Sequence, residues 1–77
     1  MKIEILGTGC TKCKTLFEMT KIAVVKSGKF VEVSKVEDIT KIMSYGVMTT
    51  PALVIDGVVK ISGRLPTVDE IEKYIKQ

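Results

Sequence analysis

The sequence contains no histidine and no tryptophan, and only two of its 77 residues are cysteine. Without histidine, the chain cannot form a Ser-His-Asp triad, a Cys-His nucleophile pair or a zinc site with imidazole ligands. Two thiolates alone cannot complete a tetrahedral zinc site within one chain. The two cysteines are therefore the main candidates for chemistry, and we expect neither a bound metal nor an organic cofactor.

Long apolar runs are also missing, and none approaches the roughly 20 residues needed to cross a membrane. Segment 1–6 is too short for a signal peptide and carries the acidic Glu4. The net charge of +3 comes from lysines spread among nearly as many acids, which does not make the basic face that nucleic acids require. We expect a cytoplasmic monomer with one domain over residues 1–77, binding neither membranes nor nucleic acids.

Both cysteines lie in one short stretch, Gly7-Thr8-Gly9-Cys10-Thr11-Lys12-Cys13. Two thiols separated by two residues are close enough to form a disulfide, and the N-terminus of a helix favours a thiolate. The glycines on either side of Thr8 allow a tight turn and leave space beside Cys10 for an approaching sulfur. In a reducing compartment this pattern indicates redox cycling or metal binding rather than a permanent structural disulfide, and two chemically inert buried residues are the third interpretation.

The first half of the chain predicts a strand, a helix, a second strand and a short second helix. Lys2–Leu6 is typical of a buried strand, and three- and four-residue spacing predicts an amphipathic helix over 11–26. Cys13 falls on the apolar side of that helix and is expected to be buried, whereas Cys10 precedes the helix and is expected to be exposed. The second strand is predicted over 30–36, and the short helix should begin at Glu37-Asp38. The residues expected on its buried side or in the core are Ile39, Ile42, Met43 and Tyr45.

The second half predicts a hairpin and a final helix. The β-branched runs 52–55 and 58–61 flank Asp56-Gly57, which is typical of a tight primed turn. Pro51 must stand at the start or edge of the first of these strands, because proline cannot donate a ladder hydrogen bond. Thr67 is a suitable helix N-cap, with Glu70 placed to complete a capping box. The apolar face of the final helix consists of Val68, Ile71, Tyr74 and Ile75.

The element order β-α-β-α-β-β-α predicts an α/β fold, with a four-stranded mixed sheet covered by helices on both faces. The chain resembles the thioredoxin superfamily, most closely its small, glutaredoxin-sized, redox-active disulfide proteins of archaea and bacteria. Three features carry this resemblance over essentially the whole chain. They are Cys10-Thr11-Lys12-Cys13 after the first strand, Thr50-Pro51 before the third strand, and Gly63 after the fourth.

The resemblance implies a thioredoxin-like fold and a thiol–disulfide oxidoreductase. It also implies a cis Thr50-Pro51 bond beside the cysteines, with the Thr50 backbone exposed to a bound peptide and Gly63 in the same substrate site. Cys10 would attack a substrate disulfide and Cys13 would resolve the mixed disulfide. The expected partners are disulfide-containing proteins and a reductase such as a thioredoxin-reductase-type flavoprotein.

Departures from the superfamily's patterns bear on the substrate. Gly63 is followed by Arg64-Leu65-Pro66, where glutaredoxins usually carry a second glycine and an acidic residue, which argues against glutathione. The first helix offers no acid matching the buried carboxylate of thioredoxins, because Glu18 lies on its polar side. An alternative function is a Cu(I) or soft-metal carrier that uses the same two thiolates. Small metallochaperones, however, follow the order β-α-β-β-α-β and carry methionine two residues before the first cysteine, where this chain has Thr8.

Overall fold

The computed structural model describes residues 1–8 and 11–76, and its seven elements follow the predicted order. In chain order they are β1 (Lys2–Leu6), α1 (Thr11–Ser27), β2 (Glu32–Val36), α2 (Ile39–Ser44), β3 (Ala52–Ile55), β4 (Val58–Ser62) and α3 (Val68–Lys76). Within the described ranges, no helix is long and apolar enough to span a membrane.

The four strands form one mixed sheet in the order β2-β1-β3-β4. β1 pairs in parallel with β2 and antiparallel with β3, and β3 pairs antiparallel with β4. The carboxyl ends of β1 and β2 lie side by side, since Leu6 pairs with Val36. β3 begins at the same edge, because Ala52 also pairs with Leu6. The segments that carry the predicted site residues therefore leave or enter the sheet at one edge.

The apolar core consists of two clusters, one on each face of the sheet. Because successive side chains of a strand point to opposite faces, Ile3 and Ile5 face α1 and α3, while Leu6 faces the other side with Ile42 of α2. The first cluster contains Ile3, Ile5, Leu16, Ala23, Leu53, Ile55, Ile61, Ile71 and Ile75. The second contains Leu6, Val36, Ile42, Val47, Ala52 and Val54. Helices thus cover both faces, as predicted.

The β3–β4 turn confirms the prediction made from Asp56-Gly57. Both residues have positive φ angles, +49° and +83°, which is the backbone of a type I′ turn. Asp56 also ties the turn to the neighbouring strand, because its Oδ1 accepts a hydrogen bond from the Lys2 backbone at 2.9 Å and its own N–H donates to the Lys2 carbonyl at 2.9 Å.

β2 is shorter than predicted, and Phe30 lies outside it with a fully exposed side chain. The pairing explains the difference. β2 is an edge strand whose partner is β1, and the ladder begins where Lys2 pairs with Glu32. Residues before Glu32 therefore have no strand beside them on which to pair.

α2 begins at Ile39 rather than at Glu37, since Asp38 is its N-cap and accepts a hydrogen bond from the Thr40 N–H at 2.9 Å. The prediction of a broad buried face on this helix is wrong. Ile42 is buried, but Ile39 and Met43 are exposed, and Met43 does not pack in the core. A helix of six residues has fewer than two turns, and only Ile42 of this helix is covered by the sheet.

At the start of α3, only one of the two hydrogen bonds of the predicted capping box forms. Thr67 Oγ1 accepts the Glu70 N–H at 3.1 Å, as an N-cap does. The Glu70 carboxylate, however, accepts two hydrogen bonds from Arg64, at 3.1 and 2.6 Å. The guanidinium fork satisfies both carboxylate oxygens, so Glu70 binds the loop before the helix rather than the N-cap backbone.

Glu4 is buried in the central strand β1, on the face that packs against α2. A buried carboxylate requires a hydrogen-bond partner, and the Tyr45 hydroxyl donates to Glu4 Oε1 at 2.6 Å. This bond holds the end of α2 against the centre of the sheet. The pKa of Tyr45 is raised above 10.0, chiefly because its hydroxyl donates to the carboxylate, with burial and the charge of Glu4 adding to the effect.

We predict that Tyr45→Phe lowers the urea midpoint at pH 7, because Glu4 loses its donor. A group whose pKa is raised by folding stabilises the protein below its unfolded value, here 10.0, and loses that contribution as pH rises through the folded value. The deficit of the variant should therefore disappear at alkaline pH. Urea unfolding at pH 7 and at several values above 10.0 tests this. A Tyr45→Phe deficit that persists unchanged at alkaline pH would contradict the assignment.

Candidate active site

Cys13 lies in the first turn of α1 with 6% of its surface exposed, and it is disulfide-bonded. Its burial confirms the prediction from the helical periodicity, because the other buried residues of this helix, Leu16, Thr20 and Ala23, continue the same stripe. No acidic residue occupies the first turn, so α1 itself contributes no carboxylate that would oppose a negative charge at this helix end. Cys10 lies outside the described residues, and its predicted exposure stays a prediction.

Gly7 is the residue that lets the cysteine helix approach the sheet. A β-carbon built on Gly7 would overlap the Cys13 sulfur and lie 2.9 Å from the Cys13 β-carbon. Gly7 is itself buried, and its N–H donates to the Val36 carbonyl at 3.0 Å, which extends the β1–β2 pairing by one residue. The space at Gly7 is thus filled by Cys13, while the predicted space beside Cys10 lies outside the described residues and stays a prediction.

A small cavity of about 70 Å³ borders the Cys13 side chain. It is lined by Ile5, Gly7, Cys13, Lys14, Lys35 and Glu37. This volume exceeds the space that a single water molecule needs, and the charged residues supply polar partners for water. Cys13 is therefore shielded from bulk solvent but adjoins a pocket that can be hydrated.

Lys35 and Glu37 line this cavity from the end of β2, and neither was predicted from the sequence to belong to the site. Lys35 lies opposite Ile5 in the ladder, and its ammonium group stands 4.5 Å from the centre of the Phe17 ring, which holds it against α1. The predicted parallel pairing of β1 with β2 was the feature from which both residues could have been placed at the site. The residues that end β2 must lie beside the residues that end β1, where the cysteine helix begins.

Thr50, Pro51 and Gly63 meet at the β3–β4 end of the same sheet edge. The Thr50–Pro51 bond is cis, which is the isomer that the family resemblance implies, and Pro51 is buried while Thr50 is exposed. The Gly63 N–H donates to the Pro51 carbonyl at 2.9 Å, so the two residues are direct neighbours. Because Leu6 pairs with Ala52, continuing the antiparallel register brings Pro51 next to Gly7.

Gly63 requires glycine for two reasons. Its φ of +78° is in the left-handed region, and a β-carbon there would come within 2.6 Å of Thr49 Oγ1. The following residue, Arg64, donates to Glu70 and thereby anchors this loop to α3. The pKa of Glu70 is lowered chiefly by the hydrogen bonds from Arg64, and the pKa of Arg64 is raised by the same contact. The loop that carries Gly63 is thus held at both ends.

The part of the chain that the structure describes contains no group of three or more histidine, cysteine or acidic residues placed to hold a metal ion. In addition, the helix α2 follows β2 here, whereas in the metallochaperone order β-α-β-β-α-β a third strand follows the second. The arrangement of elements thus differs from that of the alternative metal carriers.

Comparisons with known proteins support the resemblance to the thioredoxin superfamily. The family model for the thioredoxin domain matches residues 1–76, which include all seven elements. The chain is 37% identical over 75 residues to a thioredoxin of Methanothermobacter thermautotrophicus, and the match covers 97% of both chains. It is 39% identical over 74 residues to a thioredoxin of Methanocaldococcus jannaschii, covering 96% of this chain and 85% of that relative.

We predict that Gly7→Ala destabilises the protein by about 1–3 kcal/mol, because the added methyl group must displace the Cys13 side chain from a packed position. In the reduced protein, the displaced Cys13 thiol should also react faster with iodoacetamide. Urea unfolding and mass-spectrometric labelling measure the two effects.

Gly46→Ala is the control for the Gly7 prediction. Gly46 also has no side chain, but open space surrounds its β-carbon position, so alanine there adds only backbone strain at a φ of +77°. Labelling of Cys13 in that variant should match the parent. Parental stability and labelling in Gly7→Ala would show that the sulfur does not need the space at Gly7.

Proposed function

The chain belongs to the thioredoxin family of thiol–disulfide oxidoreductases, and from this premise we propose that it reduces protein disulfides, with Cys10 as the attacking thiol and Cys13 as the resolving thiol. One observation carries the assignment of roles. Cys13 lies buried in the first turn of α1, where it is shielded from an incoming substrate, whereas Cys10 directly precedes that turn in the sequence.

In the first step, the Cys10 thiolate attacks one sulfur of a substrate disulfide. A bond forms between Cys10 and that sulfur, the substrate S–S bond breaks, and the other substrate sulfur leaves as a thiolate that takes up a proton. The helix end supports this step, because unpaired N–H groups and the positive end of the helix dipole stabilise a thiolate. Lys12 and Lys14, the charged residues of the first turn, add positive potential there.

In the second step, Cys13 loses its proton and attacks the Cys10 sulfur. The mixed disulfide breaks, the second substrate sulfur leaves as a thiolate, and a Cys10–Cys13 disulfide forms, so that two electrons pass from the protein to the substrate. The cavity beside Cys13 is large enough for water and is lined by Lys35 and Glu37, which makes it the proposed route for the proton. Burial delays Cys13 until Cys10 has reacted.

We assign substrate binding to Thr50, Pro51 and Gly63. Thr50 is exposed beside Pro51, and the hydrogen bond between Gly63 and Pro51 fixes the two loops relative to each other. An extended peptide can pair with the Thr50 backbone as an added strand does, and Gly63 lets its loop lie close against the neighbouring Thr49. These contacts involve the main chain, so the site should accept many sequences around the disulfide.

An external reductant must return the protein to the dithiol state, because the mechanism leaves it oxidised. A flavoprotein of the thioredoxin-reductase type is the proposed donor, and no organic cofactor within the chain is needed. Glutathione is disfavoured, since Arg64 rather than a second glycine and an acid follows Gly63. A cytoplasmic location, which the sequence predicts, suits this cycle, because its reductants keep thiols reduced.

We predict that the purified protein reduces insulin with dithiothreitol as electron donor, and that the two cysteine variants fail in different ways. Cys10→Ser should abolish the reaction, because no attacking sulfur remains. Cys13→Ser should still attack but accumulate mixed disulfides, which non-reducing mass spectrometry detects. Thr11→Ser, a change in the same turn that keeps both thiols, is the control and should retain activity. Trapped substrate on Cys13 in Cys10→Ser would reverse the two roles.

We also predict that folding and disulfide exchange persist after exhaustive chelation. Redox cycling needs only the two sulfurs, whereas a fold or activity that depends on metal would be lost on chelation. Far-UV circular dichroism and the insulin assay before and after chelation test this. Loss of secondary structure, or tight Cu(I) uptake by a protein that never turns over disulfides, would favour the metal carrier.

A further inference from the structure

Two adjoining apolar hollows lie on the second half of α1 and on the loop that leads to β2. The first, of about 260 Å³, is lined by Lys21, Ile22, Val25 and Lys26. The second, of about 350 Å³, is lined by Val24, Val25, Gly28, Lys29, Phe30 and Val31. Val25 lines both, and we call the two adjoining hollows together the distal surface.

The apolar side chains of the distal surface are unusually exposed for their type. Val25 is 81% exposed, Ile22 is 51% exposed, and Phe30 is fully exposed. Single exposed apolar residues are common, but three that line adjoining hollows are typical of a surface that another molecule covers. Packing of the core gives no reason for an aromatic side chain at position 30, since Phe30 lies before the start of β2 and outside both core clusters.

The charge at the distal surface has one sign. Every charged residue that lines the two hollows is a lysine, namely Lys21, Lys26 and Lys29. Two of them are held in place by α3, because Lys26 pairs with Asp69 at 3.4 Å and Lys29 donates to the Ile75 carbonyl at 3.3 Å. Since Asp69 balances the charge of Lys26, the positive charge that this lysine rim offers a partner comes chiefly from Lys21 and Lys29.

The distal surface is also remote from Cys13. Val25 follows Cys13 by twelve residues of the same helix, which corresponds to roughly 18 Å along the helix axis. A molecule bound there would leave the dithiol open to substrates. This separation sets the distal surface apart from the disulfide-exchange site and from the residues assigned to substrate binding.

We propose that the distal surface docks an acidic amphipathic helix of another protein. Apolar side chains at i, i+3 and i+4 of such a helix would enter the two hollows, and glutamate or aspartate at its flanks would meet the lysine rim. A second copy of this chain fits poorly, because a symmetric contact would place two lysine rims against each other. A lipid surface fits less well, because the exposed Asp69 beside Lys26 would face a uniformly anionic headgroup layer, whereas a helix can place its acidic residues opposite Lys21 and Lys29.

Docking at the distal surface would act with the redox site without changing it. A tethered partner raises the effective concentration of its own disulfide, or of the reductant that it carries, at the opposite end of the molecule. The inference does not depend on the proposed function, since the surface and its charge would exist in a redox-inactive protein.

The probe is a synthetic helical peptide of about 15 residues, long enough to form helix on a surface, with leucine at i, i+3, i+4 and i+7 and glutamate at most other positions. A peptide with lysine in place of each glutamate is the control. We expect the acidic peptide to shift the amide NMR signals of Ile22, Val25 and Phe30 in the full chain, with weaker binding as salt is raised. The lysine peptide should leave these signals in place.

Variants locate the binding. Val25→Asp should weaken binding of the acidic peptide at least about tenfold, because it puts a negative charge at the residue that lines both hollows. Val58→Asp, at an exposed position of β4, is the matched control and should bind as the parent does. Neither variant touches the proposed disulfide-exchange residues, so insulin reduction should be unchanged in both, which separates failure of this proposal from failure of the proposed function.

Three results would overturn the proposal. The first is no shift with the acidic peptide at millimolar concentration. The second is sedimentation with phosphatidylglycerol vesicles that Val25→Asp abolishes while the peptide does not bind, which would assign the surface to anionic lipid. The third is a concentration-dependent dimer in analytical ultracentrifugation that Val25→Asp dissociates, which would assign it to a second copy.

Discussion

The contact between Gly7 and Cys13 is the constraint on which the redox end of this protein depends. The Cys13 side chain occupies the space that a β-carbon on Gly7 would fill, so α1 begins almost directly on the backbone that leaves β1. That closeness buries the Cys13 sulfur and aligns the helix N-terminus with the edge of the sheet. A larger residue at position 7 would have to displace the Cys13 side chain from this packed position.

The sheet brings the remaining parts of the site to the same edge. Parallel pairing of β1 with β2 brings Lys35 and Glu37 to the Cys13 cavity, and antiparallel pairing of β1 with β3 brings Pro51 near Gly7. On the opposite face, the hydrogen bond from Tyr45 to Glu4 secures α2 with a buried polar contact where the other central positions are apolar. Glu4 thus places a buried carboxylate in the central strand, although the first helix offers none.

The cysteine site and the distal surface lie at opposite ends of α1. The N-terminal end of the helix carries the cysteine, and the C-terminal half carries the exposed apolar residues and lysines of the distal surface. Since a helix is rigid over this length, the two ends keep a fixed distance. A small fold can in this way present a reactive site and a separate docking surface without a second domain.

The sequence by itself determined the features that depend on local patterns. Element order, the β1, α1 and β3 positions, the Asp56-Gly57 turn and the burial of Cys13 all follow from periodicity or from residues adjacent in the chain. The family resemblance supplied the cis Thr50–Pro51 bond, which the structure shows, while the redox role of Cys10 and Cys13 stays a proposal.

Only the tertiary structure decided the features that depend on which distant segments meet. The exposure of Met43 and Phe30, and the bond between Glu70 and Arg64, depend on partners that no local pattern specifies. The same holds for Glu4 with Tyr45, for Gly7 with Cys13, and for Lys35 at the cavity. The physical reason is that burial and hydrogen bonding are set by neighbours in space, and the sheet register determines those neighbours only once all four strands have paired.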